Sequence, residues 1–488
     1  MNNIFDKLKA YSDSDYYAFH MPGHKRNLDL MDGTSPYRID ITEIDGFDDL
    51  HHAEGILRDA QERAARVYHA DETHFLVNGS TVGILSAILG TTEKGDSILV
   101  ARNCHKSVYH AIYLNELDPV YLYPKFDTEQ GLSTEIDVAN VQKALEEHPK
   151  IRAVMIVSPT YDGVVSDIEK IAEIVHAKGC PLIVDEAHGA HFGFDPYFPK
   201  SANIYGADLV INSLHKTLPA LTQTALLHVN GDMVKRRKVK QYLDMLQTSS
   251  PSYILMASID ACIGMLEETL ETHSDARPDY KYKNIFSEYA NRIEALRKDL
   301  KRLKYLKIIQ TDNTDRYDRS KFVISVKHAP MSSHELYEIL LHRYHLQMEM
   351  LAGTYVLAMT TVGDTQEGLD RLRDALLEID KEIDTRQGRP AAIETDLPLS
   401  GRQPALEKVW TIAEAVNRRD KIQKRSFEDS IGCISVEYAY LYPPGSPLIV
   451  PGERITKEAV EILHWYQEHD FSIEGLQSED GIEVWIDG

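Results

Sequence analysis

Two apolar, strand-like runs in this sequence end on residues able to move protons or form covalent bonds. PLIVDEAH places Asp185 at the end of its run, and DLVINSLHK delivers Lys216 just past the end of another. An amine in a partly buried site loses its proton more readily, because desolvation disfavours the ammonium, and the free amine can form a Schiff base with a carbonyl. Neighbouring runs end in a similar way. FLVNGSTVGILSAIL carries Gly79, Ser80 and Thr81 from a strand into an apolar helix, which offers backbone N–H groups and hydroxyls to a phosphate. SILVA leads into RNCHKS, so His105 also stands at a strand end, where an imidazole can stack on a flat heteroaromatic ring. Ser213 and His215, at the exit of the lysine's strand, offer further phosphate contacts.

Pyridoxal 5'-phosphate is the cofactor whose needs match this set. Its aldehyde takes the lysine, its phosphate takes the helix start, and its pyridine nitrogen needs a carboxylate to stay protonated, a role for Asp185. Taken singly, each residue has a plainer reading as a solvated loop lysine, a helix cap, a common turn or a hydrogen-bonded histidine. Their joint occurrence at strand ends points to chemistry. HGAH, from His188 to His191, has no clustered partner ligands to make a zinc site. GxGxxG, GxxxxGK[ST] and GxSxG are missing, which argues against dinucleotide, P-loop and serine-nucleophile chemistry.

These residues need a scaffold that gathers strand ends. From about Thr73 to Asn230, short Val- and Ile-rich runs alternate with amphipathic segments such as DIEKIAEIVHAKG, whose helix closes on Gly179. Strand, helix, strand in this order predicts an α/β fold with a mainly parallel sheet, where ligands sit at the carboxyl ends of the strands. The expected organisation is an N-terminal arm and interface segment over 1–72 and a cofactor-binding large domain over 73–284. A small α/β domain over 285–384, a linker over 385–404 and a C-terminal domain over 405–488 follow. The large domain is expected to exit through the polar stretch HSDARPDYKYKN, and YPPGSPLIVPGE to form a rigid extended loop because of its prolines.

Composition limits the partners. With 53 Lys and Arg against 76 Asp and Glu, the formal charge is -23, which disfavours nucleic acid and anionic membranes and favours basic small molecules. Four scattered cysteines, the lack of a signal-like apolar run at the start and the lack of a membrane-length stretch make the cytoplasm the expected location.

Eight motifs then fall in one order: FHMPGHK, DITEIDGFDDLHHAEG, FLVNGST, RNCHKS, SPTYDG, VDEAHGAHF, SLHK and YPPGSPLIVPGE. With them, nearly the whole chain resembles the pyridoxal-phosphate-dependent ornithine, lysine and arginine decarboxylases of bacteria, in the shorter form without an N-terminal receiver-like wing domain. The resemblance implies the aspartate-aminotransferase fold (type I) and a homodimer, or assembly of dimers, with composite sites. It implies decarboxylation of a basic L-amino acid through a Schiff base on Lys216, as in polyamine biosynthesis. It also places Asp185 at the pyridinium, His105 on the ring, His188 against the cofactor, Ser80, Thr81, Ser213 and His215 on the phosphate, and Thr160 nearby. Side-chain recognition calls for a carboxylate, for which Asp40, Glu43, Asp45, Asp48 and Asp49, then Glu349 and Glu437, are candidates. An aminotransferase or other α-carbon lyase on the same fold is the rival enzyme; a silent regulatory homologue is the non-enzymatic rival, which could dispense with Lys216.

Overall fold

The computed structural model describes residues 10–30, 36–270, 281–310, 314–385, 403–418, 420–442 and 446–486. The polar exit stretch around 271–280 and most of the 385–404 linker lie outside them. Seven strands form the large sheet: β1 (Glu72–Leu76), β2 (Ser97–Ala101), β3 (Asp118–Leu122), β4 (Ile151–Val157), β5 (Leu182–Asp185), β6 (Leu209–Asn212) and β7 (Ala225–Val229). Their order is β1-β7-β6-β5-β4-β2-β3. All neighbours run parallel except β7, which is antiparallel to both β1 and β6.

The continuous apolar runs make sense because helices cover both faces of this sheet. Alternate residues feed different cores: Phe75 and Leu226 pack into one cluster, while Leu76, Ala225 and Leu227 pack into the other. Helix α1 (Gly79–Thr91) lies against the sheet where Gly83 allows close approach, since a Cβ there would meet Leu76 Cδ1 at 2.7 Å. Helix α2 (Lys106–Leu114) follows β2. In α3 (Ile168–Ala177), Asp167 accepts from the Lys170 N–H at the start and Gly179 adopts φ +71° just past the end. One-turn helix α4 (Leu214–Thr217) joins β6 to β7.

A second, antiparallel sheet holds β8 (Lys307–Ile309), β9 (Lys321–Ser325), β10 (Met350–Ala352) and β11 (Tyr355–Met359) in the order β8-β9-β11-β10. Helices α5 (Ile285–Leu300), α6 (Ser333–His342) and α7 (Gln366–Thr385) accompany it. Tyr17–Phe19, near the start of the chain, pairs in parallel with Leu346–Met348 beside this sheet. The last part of the chain forms two three-stranded sheets and two α-helices, Ile412–Val416 and Lys457–Glu468, among the described residues. The proline-rich motif is not wholly a loop: Ser446–Ile449 is a strand at the edge of its sheet, where its one proline, Pro447, is tolerated. Just beyond it, Glu453 meets Arg102 at 2.9 Å, both essentially inaccessible to solvent, which ties this C-terminal unit to the end of β2.

Candidate active site

The register of the large sheet decides which side chains meet. Asp185 pairs with Ile211, so the end of β5 lies beside the end of β6. Asn212 fixes that alignment by donating from Nδ2 to the Glu186 carbonyl at 3.0 Å and to Glu186 Oε2 at 3.1 Å. Glu186 points away from Asp185, as strand alternation requires, and also accepts from Ser201 and the Ala202 N–H. Burial pushes its carboxyl up to about 7.

Beyond β6 the chain turns at Ser213, and the single turn α4 aims Lys216 into a cavity of roughly 500 Å³. Eight of the nine expected site residues line it: Ser80, Thr81, His105, Thr160, Asp185, His188, His215 and Lys216. The ninth, Ser213, is fully buried behind Ser80, with the two hydroxyls 2.7 Å apart. Lys216 Nζ lies 3.1 Å from His188 Nε2. Burial lowers the lysine's pKa, and the charges of Asp185 and Glu349 partly restore it. Asp185 is raised by burial, against the pull of Lys216 and the Ala187 N–H, which it accepts at 3.1 Å.

His105 caps α2 and its Nδ1 sits 2.9 Å from the Ser107 hydroxyl. Its ring is accessible from the cavity yet enclosed by protein, and burial followed by the charge of Lys216 lowers its pKa to about 4, so it is neutral. Thr160 Oγ1 accepts the Val164 N–H, and His215 Nδ1 is spent on the Thr224 carbonyl, leaving its other nitrogen free for the cavity. Helix α1 begins at Gly79 with no side-chain cap and no acidic residue in its first turn. The Gly79 N–H donates to the Gln223 carbonyl at 2.9 Å, and the N–H groups of Ser80 and Thr81 that follow, with their hydroxyls, suit a phosphate. A partly desolvated amine, a buried carboxylate and this anion cradle form a donor set that fits pyridoxal phosphate.

Several residues enter the site that sequence reasoning did not single out. Asp162, in SPTYDG, lines the cavity and accepts from Tyr355 at 2.6 Å; burial raises its carboxyl to about 6. Its motif was visible, but nothing in its spacing shows which way the side chain turns. Lys321, at the start of β9, lies 3.4 Å from His188 Nδ1. The acidic candidates fare differently. Asp48 accepts four backbone N–H groups, from Asp49, Glu54, Gly55 and Leu57, and so knots its own loop. Asp40, Glu43, Asp45 and Asp49 do not line the cavity of this chain. Glu437 accepts from Gln477 and Glu483 inside the C-terminal unit. Glu349 accepts the Met21 N–H at 2.8 Å and the Tyr161 hydroxyl, near Lys216. His191 pairs with Asp318 at 3.1 Å, and among the described residues no cluster of ligands could hold a metal ion.

Residues 2–339 match the family model for the Orn/Lys/Arg decarboxylase major domain, and residues 402–484 match that for the C-terminal domain. The chain belongs to the Orn/Lys/Arg decarboxylase family. Among its relatives, the uncharacterized protein YaaO of Bacillus subtilis is 36% identical, covering 94% of this chain and 93% of its own length. The arginine decarboxylase of the same organism is 31% identical, covering 94% and 92%. In fold, the decarboxylase chain is similar to the Francisella novicida lysine decarboxylase LdcF, with a TM-score of 0.78 at 18% identity, covering 98% of this chain and 80% of that one. Among the described residues, no helix is long and apolar enough to cross a membrane.

Proposed function

We propose that this family member decarboxylates a basic L-amino acid (lysine, arginine or ornithine) to cadaverine, agmatine or putrescine, using pyridoxal 5'-phosphate. The observation that carries the reading is the convergence of Lys216, Asp185 and the uncapped start of α1 on one cavity. When bound, the cofactor supplies an electron sink for the bond broken at the α-carbon.

The chain's own residues do the rest. Lys216 holds the aldehyde end, and Asp185 keeps a proton on the ring nitrogen. Ser80 and Thr81, through their hydroxyls and backbone N–H groups, hold the phosphate, with Ser213 bracing Ser80 and His215 adding a donor. His105 covers a ring face as a neutral imidazole, so it adds no charge that would compete for the substrate carboxylate. Thr160 lines the same cavity. Lys216 Nζ and His188 Nε2, in hydrogen-bond contact, can hold and return the proton that the α-carbon needs after carbon dioxide leaves.

The basic end of the substrate meets Asp162 in this reading. Asp185 and Asp162 are the carboxylates among the residues lining the cavity, and Asp185 already faces Lys216. Desolvation dominates at Asp162, so an arriving ammonium or guanidinium meets an under-solvated anion. A second copy of the chain completes the proposal, because the segment before β1 exposes Leu28, Tyr37, Ile44, Phe47 and Ile56.

Incubation with lysine, arginine, ornithine and norleucine, following amine and carbon dioxide, tests the reading. One basic amino acid is expected to be turned over and Lys216→Ala to abolish it. Formation of a keto acid without carbon dioxide would assign the chain to transamination instead.

A further inference from the structure

Lys321 is a fully buried lysine whose amine makes its side-chain hydrogen bond to an imidazole, and among the described residues no carboxylate forms an ion pair with it. A methionine would fill similar space without desolvating an amine. Its neighbour explains the exception. His188 lies between two lysines, with Nε2 at 3.1 Å from Lys216 Nζ and Nδ1 at 3.4 Å from Lys321 Nζ, and the Tyr161 ring packs on it at 4.4 Å.

Burial first, then the charges of Lys216, Lys321, His215 and His105, lowers the pKa of His188 well below the ordinary value, so the imidazole is neutral. A neutral imidazole has one N–H and one lone pair. One lysine can therefore donate to it, while the other must accept from it, and an ammonium has no lone pair with which to accept. One of the two amines has to be unprotonated for both contacts to exist.

We propose that Lys321 is a positioning residue that shares one proton with Lys216 across His188. When Lys321 carries the charge, it donates to Nδ1, and the Nε2–H donates to the free amine of Lys216. Transfer of one proton from Lys321 to Nδ1, with release of the Nε2 proton to Lys216, gives the mirror arrangement. The imidazole stays neutral at both ends, and no solvent proton is needed. Asp318 and Glu349 favour the proton on Lys321, against the charges of Lys216 and Lys25. Asp185 and Glu349 favour it on Lys216. Acidic groups thus stand on both sides of the pair. This rests on Lys216 being the working amine.

The test reads that amine directly. The full chain, stripped of cofactor, is labelled with acetic anhydride over a range of pH, and acetylation of Lys216 is followed by mass spectrometry of its peptide. In Lys321→Met the midpoint is expected to rise by about one pH unit, leaving roughly tenfold less free amine at neutral pH. Lys321→Arg, which keeps a charged donor toward Nδ1, is expected to restore the low midpoint. His188→Gln keeps both amines but removes the imidazole, and the same rise is expected there. A midpoint unchanged in Lys321→Met, or in His188→Gln should the first variant fail to fold, overturns the proposal. Because the labelling needs neither substrate nor turnover, it stands or falls apart from the decarboxylation assay.

Discussion

Replacing Asp162 by Asn separates its electrostatic cost from its use. In the folded protein this carboxyl titrates near 6 rather than at the ordinary 3.8, because burial outweighs the help it receives from Tyr355 and Lys321. At about 1.4 kcal/mol per pH unit, holding it ionised costs the folded state roughly 3 kcal/mol. The sign follows from the raised value. The group's contribution to stability is intact below its unfolded pKa, is lost as pH climbs through the folded value near 6, and stays lost above it. An amide keeps an oxygen for the Tyr355 hydroxyl and removes the titration. The variant is therefore expected to be more stable than the parent at neutral pH by up to about 3 kcal/mol, with the difference vanishing in acid.

Activity moves the other way. Losing the carboxylate that meets the basic end removes a buried charge pair worth about 2–5 kcal/mol, a fall in kcat/KM of roughly 30-fold to several thousandfold. Norleucine, which lacks the terminal charge, gains nothing from Asp162, so its turnover is expected to change little. Urea unfolding across a pH series and kcat/KM for both amino acids read the two halves. A variant less stable at neutral pH refutes the electrostatic argument, and an unchanged preference for the basic substrate refutes the assignment of Asp162.

Two further outcomes test the frame around the site. Glu453→Gln leaves the Arg102 guanidinium buried without its carboxylate and is expected to cost about 3–5 kcal/mol in urea unfolding, whereas Arg102→Met combined with Glu453→Leu stays near the parent; a single variant costing less than about 1 kcal/mol would show that the pair does not hold the C-terminal unit. Sedimentation velocity is expected to show a dimer or multiple of dimers that Tyr37→Asp with Phe47→Asp dissociates, since Tyr37 is 89% and Phe47 44% exposed in the single chain; a parent that sediments as a monomer would remove the second copy from the proposal.

The large sheet was legible because strands buried on both faces must be continuously apolar and because parallel strands bring their carboxyl ends together. That physics made DLVINSLHK and PLIVDEAH informative before any coordinate was known. Other features had no such signature. Tyr17–Phe19 is too short for a two-residue period to register. Lys321 opens KFVIS, and a lysine at a strand edge reads as solvated until the neighbouring domain is seen to cover it. Asp162 follows Tyr161 in a turn, where sequence gives no side-chain direction. Asp48 looked like one of several acidic loop residues, yet four N–H groups converge on it and hold its carboxyl at about 2 against the effect of burial. What the sequence hid is mostly contact between distant segments rather than local structure.

The small domain and the N-terminal segment set the charge of a site whose frame the large sheet builds. Lys25 reaches in from the N-terminal segment, donating to the Met359 carbonyl at 2.8 Å, while Lys321 comes from β9 and Lys216 from α4. Burial lowers all three amines, and Glu349 opposes that lowering at each. Asp364, Asp185 and Asp318 add to that opposition at Lys25, Lys216 and Lys321 in turn, yet burial prevails at each, so the cluster is short of protons compared with the same lysines in water. An anion entering the cavity reverses this balance by stabilising the ammonium forms, and by linkage its affinity must rise as the pH falls through the titration of those amines. The scarcity of protons that leaves Lys216 free to react thus also ties the filling of the site to the protonation of its lysines.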